Sequence, residues 1–462
     1  MSGRKILLLV AILMAGGLLE GAFSLRGHLE LGPSGCRVHP GRFSGPSFSF
    51  EEQRQLELPA GGAVRLTNAF GSVSVRGGGP AGQARVLLRK TVFAGAEARA
   101  RELAERVKLE VGQDAGGLVL GTNRRDVEQG ELRDASLETH FEIELPSDAR
   151  VVVSNEYGSV SISGVAAVEA QNAFEDLRVE DVAGPVTLRV RQADVEASRL
   201  RGPLSLVARH GGVTLRDLAQ AEIDVESGDL LLEKAGACVI RHKHGSARLS
   251  GLAGDLRFEG RNAALEAEDL SGAASLETSG EGFALRRASG AVTVQHERGD
   301  LRFEDLGAGL TLKSSGAEVT LERVAGRIDL TLERGGLEAE ELSGGGRVGS
   351  ETGDVTLRRF RGAYEVESRR GSLTLEPAGP LVEALSARAK QGDLRLVVPE
   401  GSRFDLTASV ERGGEIHAQD VPGLDVRSSS DERLEGRVGG GGAAVRLQVD
   451  RGQLTLEGGR VD

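Results

Sequence analysis

Tryptophan is missing from this chain of 462 residues, tyrosine occurs twice, and aromatic residues amount to 3%. Recognition by ring stacking, against sugar faces or unpaired bases, therefore has little to work with. Cysteine is nearly as scarce, with Cys36 and Cys238 alone. Cys238 falls at an inward position of the pattern described below and reads as a small core residue. Cys36 does not directly follow the apolar run near the chain start, so it is no lipoprotein attachment signal, and a Cys36–Cys238 disulfide is not expected. No single sign of charge is concentrated: charged residues are 27%, mixed along the chain, with a net charge of −12. That balance suits a solvated surface and speaks against nucleic acid, whose phosphates call for a concentrated basic stripe. Glycine is abundant, yet no Gly-Lys-Ser/Thr precedes a helical pattern, so no phosphate loop is present.

One apolar run stands out, Ile6 to Leu19, following Arg4 and Lys5. At fourteen residues it suits a signal-peptide core better than a full span, which needs about 20. Residues 1–25 thus read as a signal peptide or amino-terminal anchor, with cleavage at Ala22-Phe23-Ser24 and retention through residues 6–25 both open. Either way the bulk of the chain is exported. Residues 26–50 carry Gly32-Pro33, Pro40-Gly41 and Gly45-Pro46 and read as a linker.

Alternating apolar residues begin in the next segment, 51–150, at Val64/Leu66, Val73/Val75, Val86/Leu88 and Phe141/Ile143/Leu145. They indicate a small β-rich domain. A stretch near 96–108 places Ala96, Ala100, Leu103 and Val107 on one helical face, which should pack on the sheet.

From 151 to 400 the chain repeats itself about every 18 residues. The units close on Gly184, Gly202, Gly236, Gly254, Gly272, Gly290, Gly309, Gly326, Gly344, Gly362 and Gly379, with Gln220 standing in once. Within one unit, Val292 and Val294 alternate with polar neighbours, a polar stretch ends at Gly299, and Leu301 and Phe303 alternate again. Period two marks a half-buried strand, so each unit holds two short strands. Two strands of that length cannot bury an apolar face alone, whereas stacked units can. The expectation is an all-β fold: a parallel β-solenoid of about twelve rungs, roughly 55–60 Å long at ~4.8 Å per rung. Val292, Leu310 and Ile328 should lie beneath one another. Glycine at the corners is expected where a turn takes positive φ. After 401 the period loosens, and 401–462 reads as an irregular β cap over the last rung.

The candidate chemistry is sparse. Arg298-Gly299-Asp300 spells an integrin-binding tripeptide, but Gly-Asp recurs at Gly228-Asp229, Gly353-Asp354 and Gly392-Asp393, so the turn accounts for it. His242 and His244 are two apart and lack a third ligand. His210 aligns with His244 two rungs away and His296 with His242 at three, too far for one ion. All four read as exposed corner residues. Acidic pairs recur at Glu268-Asp269, Glu304-Asp305 and Glu340-Glu341, resembling carboxylate clusters of solenoid hydrolases, but uniform short rungs leave no room for a cleft. No catalytic, cofactor or metal residues are expected.

Two segments beside the repeats carry a family resemblance: Leu66-Thr67-Asn68-Ala69-Phe70-Gly71-Ser72-Val73-Ser74-Val75, and the strand, Pro-turn, strand, Gly-turn run from Phe141 to Ile162 through Pro146 and Gly158. With the repeats, they resemble a bacterial family of β-strand-repeat domains of unknown function that carries the adhesin label. The resemblance implies a β-solenoid and envelope localisation and transfers no catalytic residues. The expected function is a non-enzymatic exported envelope protein, an adhesin or surface scaffold presenting solenoid faces to an envelope or surface component. The alternatives are a self-associating, bactofilin-like filament protein and, behind it, a polysaccharide-acting β-helix enzyme.

Overall fold

The computed structural model describes residues 45–114, 116–127 and 135–459, and the backbone of 29–32 and 35–38. The expected leader, 1–25, and most of 26–44 lie outside the described residues. Within that segment Leu29–Gly32 and Gly35–Val38 pair antiparallel.

Between Arg150 and Pro399 the chain makes about fourteen turns of a parallel β-solenoid, about 65 Å of stack at ~4.8 Å per rung. Each turn contributes one strand to each of two parallel ladders. In the first ladder Val292 stands opposite Leu310 and Leu310 opposite Ile328, all buried. In the second, Phe283, Leu301, Val319 and Leu337 follow one another. Alternate positions of the ladder strands point into one continuous apolar core, while the positions between them face outward. Burial of these side chains, at roughly 25 cal/mol per Å² of apolar area, drives the stacking. The ladders fix the register, for example through Val292 N–H to Gly309 O and Leu310 N–H to Arg327 O, each 3.0 Å.

The turn count exceeds twelve because one turn precedes the turn that closes on Gly184 and one, 385–399, follows Gly379. The neighbour one turn below Gly184 is Ala166. The turn that closes on Gly379 is longer, with Tyr364 opposite Leu385, and accommodates Gly379-Pro380.

Both ends of the stack depart from sequence order. Strands Ala63–Phe70 and Val73–Arg76 pair in parallel with Arg150–Tyr157 and Val160–Ser163 on one side. On the other side they pair with Gly117–Thr122 and Ala135–Glu144. The earliest rung in sequence is therefore second in space, held between two later ones. The carboxyl end repeats the arrangement. Ala443–Val449 and Leu454–Gly459 slide between the rung at 385–399 and the rung formed by Phe404–Val410 and Ile416–Gln419.

Antiparallel strands cover three of the four strands of these outer rungs, all but Ile416–Gln419. At the amino end Gln83–Ala94 pairs with Ala135–Glu144, Ser47–Glu57 with Gln83–Ala94, and Leu109–Asp114 with Gly117–Thr122. At the carboxyl end Arg433–Val438 covers Phe404–Val410, and Leu424–Ser429 covers Arg433–Val438. Rungs thus continue on both sides of the expected 151–400 span.

The one α-helix among the described residues, Glu97–Arg106, buries Ala100, Leu103 and Ala104, with Val107 just beyond its end, in a small core with Val92 and Leu137. Ala96, assigned to the same face from its spacing, is exposed, because it sits before the first helical residue in extended conformation. The buried Lys90 ammonium donates to Ala104 O at 3.2 Å and pairs with Glu52 at 3.0 Å, tying the helix carboxyl end to the sheet.

Candidate functional site

The two corners of each turn solve the same problem by different residues. At the corner after the first-ladder strand the backbone takes positive φ on glycine, at +135° in Gly228, +105° in Gly299, +137° in Gly353 and +141° in Gly392. A Cβ there would also run into the backbone of the turn below. The aspartate that follows ties one turn to the next. Asp229, Asp354 and Asp393 accept hydrogen bonds from the backbone N–H of Ser246, Ser372 and Gln453 in the next turn, at 3.1, 2.8 and 2.9 Å. Gly-Asp is thus a stacking device, and Arg298 precedes it by chance.

At the opposite corner the left-handed position is held almost entirely by charged residues. Asp181, Arg199, Asp217, Lys234, Asp269, Arg287, Asp305, Arg323, Glu341 and Arg359 all have φ between 47° and 59°. Their charges alternate along the stack. Arg199 binds Asp181 at 2.6 Å, Arg287 binds Asp269 at 2.7 Å, Arg323 binds Asp305 at 2.6 Å and Arg359 binds Glu341 at 3.1 Å. The hydrogen bond from Arg323 holds the Asp305 carboxyl below its ordinary value, and Arg199 does the same for Asp181. The acidic pairs singled out in the sequence belong to this ladder: Arg287 reaches Glu268 as well as Asp269, Arg323 reaches Glu304 as well as Asp305, and Arg359 reaches Glu340 as well as Glu341. They are arginine-bound links between turns. The unit-closing glycines lie elsewhere and serve close approach: Gly202, Gly272 and Gly344 pack on the backbone of Gly184, Gly254 and Gly326. Positive φ, expected there from sequence, is confined to Gly362 among those eleven.

The four histidines separate. His210 and His244 are exposed, as expected, but His242 and His296 are buried at 1% and 3% exposure, which corrects their assignment to exposed corners. They occupy the last inward position of the first-ladder strand, in a column running His242, Gly260, Thr278, His296, Ser314. His296 Nε2 lies 2.9 Å from Gly299 O and Nδ1 lies 2.8 Å from Thr278 Oγ1. A carbonyl can only accept, so Nε2 carries the proton and Nδ1 accepts from the threonine. His242 Nε2 instead bonds the corner carbonyl of the turn below, Gly228 O, at 2.9 Å, and its Nδ1 has no partner, since its neighbours in the column are Val225 and Gly260. Desolvation lowers the pKa of both rings.

An open groove of about 470 Å³ lies over this column, lined by Glu259, Glu277, Thr278, His296, Lys313 and Ser314. Both ring nitrogens of His296 are engaged, so it has no lone pair to offer Ser314, whose Oγ is unpartnered. Among the described residues no three His, Cys, Asp or Glu side chains form a metal-binding group, and no helix is long and apolar enough to cross a membrane. Cys238 is buried, and desolvation raises its thiol pKa to about 11, so it sits unreactive in the column of Leu256 and Val292. Cys36 carries no described side chain.

A second ladder went unnoticed in the sequence. Phe70, Tyr157 and Phe174 stack face to face at 4.7 and 4.6 Å, and Arg124 caps Phe70 at 4.1 Å from its centroid. Beside them Asn68, Asn155 and Asn172 form a buried amide chain at 3.1 and 3.2 Å. The spacing of Asn-Ala-Phe at 68–70 and 172–174, and Asn-Glu-Tyr at 155–157, was the available signal.

These features define a solenoid with two strands per turn, whose corners are made by stacking glycines and alternating charges. Residues 136–457 match the model of the family described as Toastrack DUF4097, and the chain belongs to that family. No curated protein matches. A crystal structure described as a "putative cell adhesion protein" from Clostridium sporogenes ATCC 15579 is 7% identical, covers 89% of this chain and 100% of its own, and has a TM-score of 0.17; a likeness this low carries no argument.

Proposed function

We propose that this Toastrack protein is an exported, non-enzymatic rod of the cell envelope, an adhesin or scaffold that offers its solenoid faces to another envelope or surface component. The observation that carries the reading is the regularity of the outward positions. Over about fourteen turns they form flat rows of paired charges and hydroxyls, suited to lateral contact with an extended partner. The engaged nitrogens of His296 and the arginine-bound acidic pairs support a role without chemistry. The apolar run at 6–19 supports export. A filament built by end-to-end stacking needs a bare parallel rung, and antiparallel strands cover both strands of the outer rung at the amino end and Phe404–Val410 at the carboxyl end. The test is fractionation of a bacterial host expressing the tagged full chain, followed by crosslinking on intact cells. Recovery in the envelope with envelope or surface partners is expected; a wholly cytosolic pool overturns export.

A further inference from the structure

The asparagine ladder floors a second groove, about 490 Å³, near the amino end of the rod. Its outer wall follows one outward column through five turns: Thr67, Ser154, Gln171, Arg189 and Val207 stand opposite one another in succession. Arg191 and Arg209 line it from the neighbouring outward positions of the last two turns, and Arg125 from the 3-10 turn Asn123–Asp126 at the other end. Arg189 is paired with Glu169 at 3.3 Å. Arg125, Arg191 and Arg209 are exposed and have no ion-pair partner among the described residues. One carboxylate, Glu156, lines the groove with them. In a chain of net charge −12, an excess of guanidinium around one cavity is the reverse of the average surface.

We propose that this groove binds a linear acidic polysaccharide, its carboxylates held by Arg191 and Arg209 at one end and Arg125 at the other. Planar guanidinium groups match carboxylates in bidentate geometry. Between the arginines, Thr67, Ser154 and Gln171 present hydroxyls and an amide at the strand-to-strand repeat, groups that pair with sugar hydroxyls. The groove spans about 20–25 Å at ~4.8 Å per rung, long enough for several sugar units. Single-stranded nucleic acid fits less well: no aromatic side chain is among the described residues that line the groove, so base stacking lacks a platform there. The inference deepens the envelope reading by naming a ligand class. Binding by the purified chain is independent of where the cell places it, so a failed binding assay and a failed fractionation are separate results.

The probe is polygalacturonate, titrated by calorimetry against the full chain at about 50 and about 200 mM salt, with dextran, inorganic polyphosphate and single-stranded DNA in parallel. Binding of polygalacturonate that weakens with salt, and none of dextran, is expected. Arg191→Ala with Arg209→Ala should weaken it at least about tenfold, as loss of charge-assisted hydrogen bonds implies. The double lysine variant should lose less. Arg327→Ala with Arg361→Ala, two exposed arginines remote from the groove, should leave affinity unchanged. No binding by the parent chain overturns the proposal, as does an equal loss in the remote variant. Polyphosphate or DNA binding as tightly at the same residues overturns the polysaccharide assignment. Unchanged circular dichroism guards against misfolding of the variants.

Discussion

At the scale of single residues, His296 has a hydroxyl partner that His242 lacks. His296 receives a hydrogen bond from Thr278 in the turn below; the residue in that place for His242 is Val225. Val225→Thr is nearly isosteric and supplies the donor that Nδ1 lacks. A gain of about 1 kcal/mol in unfolding free energy is expected, the usual net worth of a buried hydrogen bond. The same change at Val294, flanked by Leu276 and Leu312, buries an unpaired hydroxyl and should cost about 1–3 kcal/mol. Chemical denaturation of the two variants checks the contrast. The histidines also set a pH response. Their folded pKa values lie below the ordinary 6.5 through desolvation, so the unfolded chain takes up protons first as pH falls. Their contribution is present in full above about pH 6.5 and is lost as pH drops through the depressed folded values. Thermal melts of the parent should fall between pH 7.5 and pH 5, and His296→Gln should flatten part of that slope. The sequence showed the columns of both histidines correctly and placed them on the wrong side of the wall. The strand's inward alternation continues one residue further than the last aliphatic position, and a polar side chain there reads as a corner until its bond to the turn glycine is seen.

At the scale of strands and corners, the alternation that stacks the turns was legible, because a period of two in apolar residues has a single geometric meaning when repeated at a fixed interval. The charged corner was not, because no local propensity puts charged residues of both signs at positive φ ten times over. The stack makes that conformation tolerable by placing opposite charges one rung apart, and the signal lay in the sign alternation across Asp269, Arg287, Asp305, Arg323, Glu341 and Arg359. Arg323 is the most connected member, bound to Glu304, Asp305 and Glu322. Arg323→Ala leaves Asp305 without its ion-pair partner and Glu304 and Glu322 with only their longer pairs to Arg286 and Arg302, three adjacent carboxylates short of a charge. It should lower the melting temperature in low salt by more than it does in about 0.5 M salt, since screening removes both the lost attraction and the new repulsion. Equal losses at both salt concentrations would show that the guanidinium acts by packing instead.

At the scale of the whole molecule, the interposed rungs turn the chain ends into structural keystones. Strands 443–459 pair with 385–399 on one side and 404–419 on the other, so the rung that is last in space rests on the one made last. The repeat pattern shows that a final segment departs from the period, but it cannot show this reversal of order, because parallel neighbours of either succession present the same alternation. Two consequences differ in kind. Deleting 443–459 removes the support of 404–419 as well, and the loss should exceed that of one rung. Ending the chain after Glu400 instead leaves Leu385–Ala389 and Leu394–Pro399 as bare parallel edges, the condition under which strands recruit another chain. That truncated rod should associate with rising concentration, visible as fibres by electron microscopy and as faster sedimentation, while the intact chain at the same concentration forms none. Fibres from the intact chain would mean that the antiparallel covers do not close the stack, and would move the filament reading ahead of the rod.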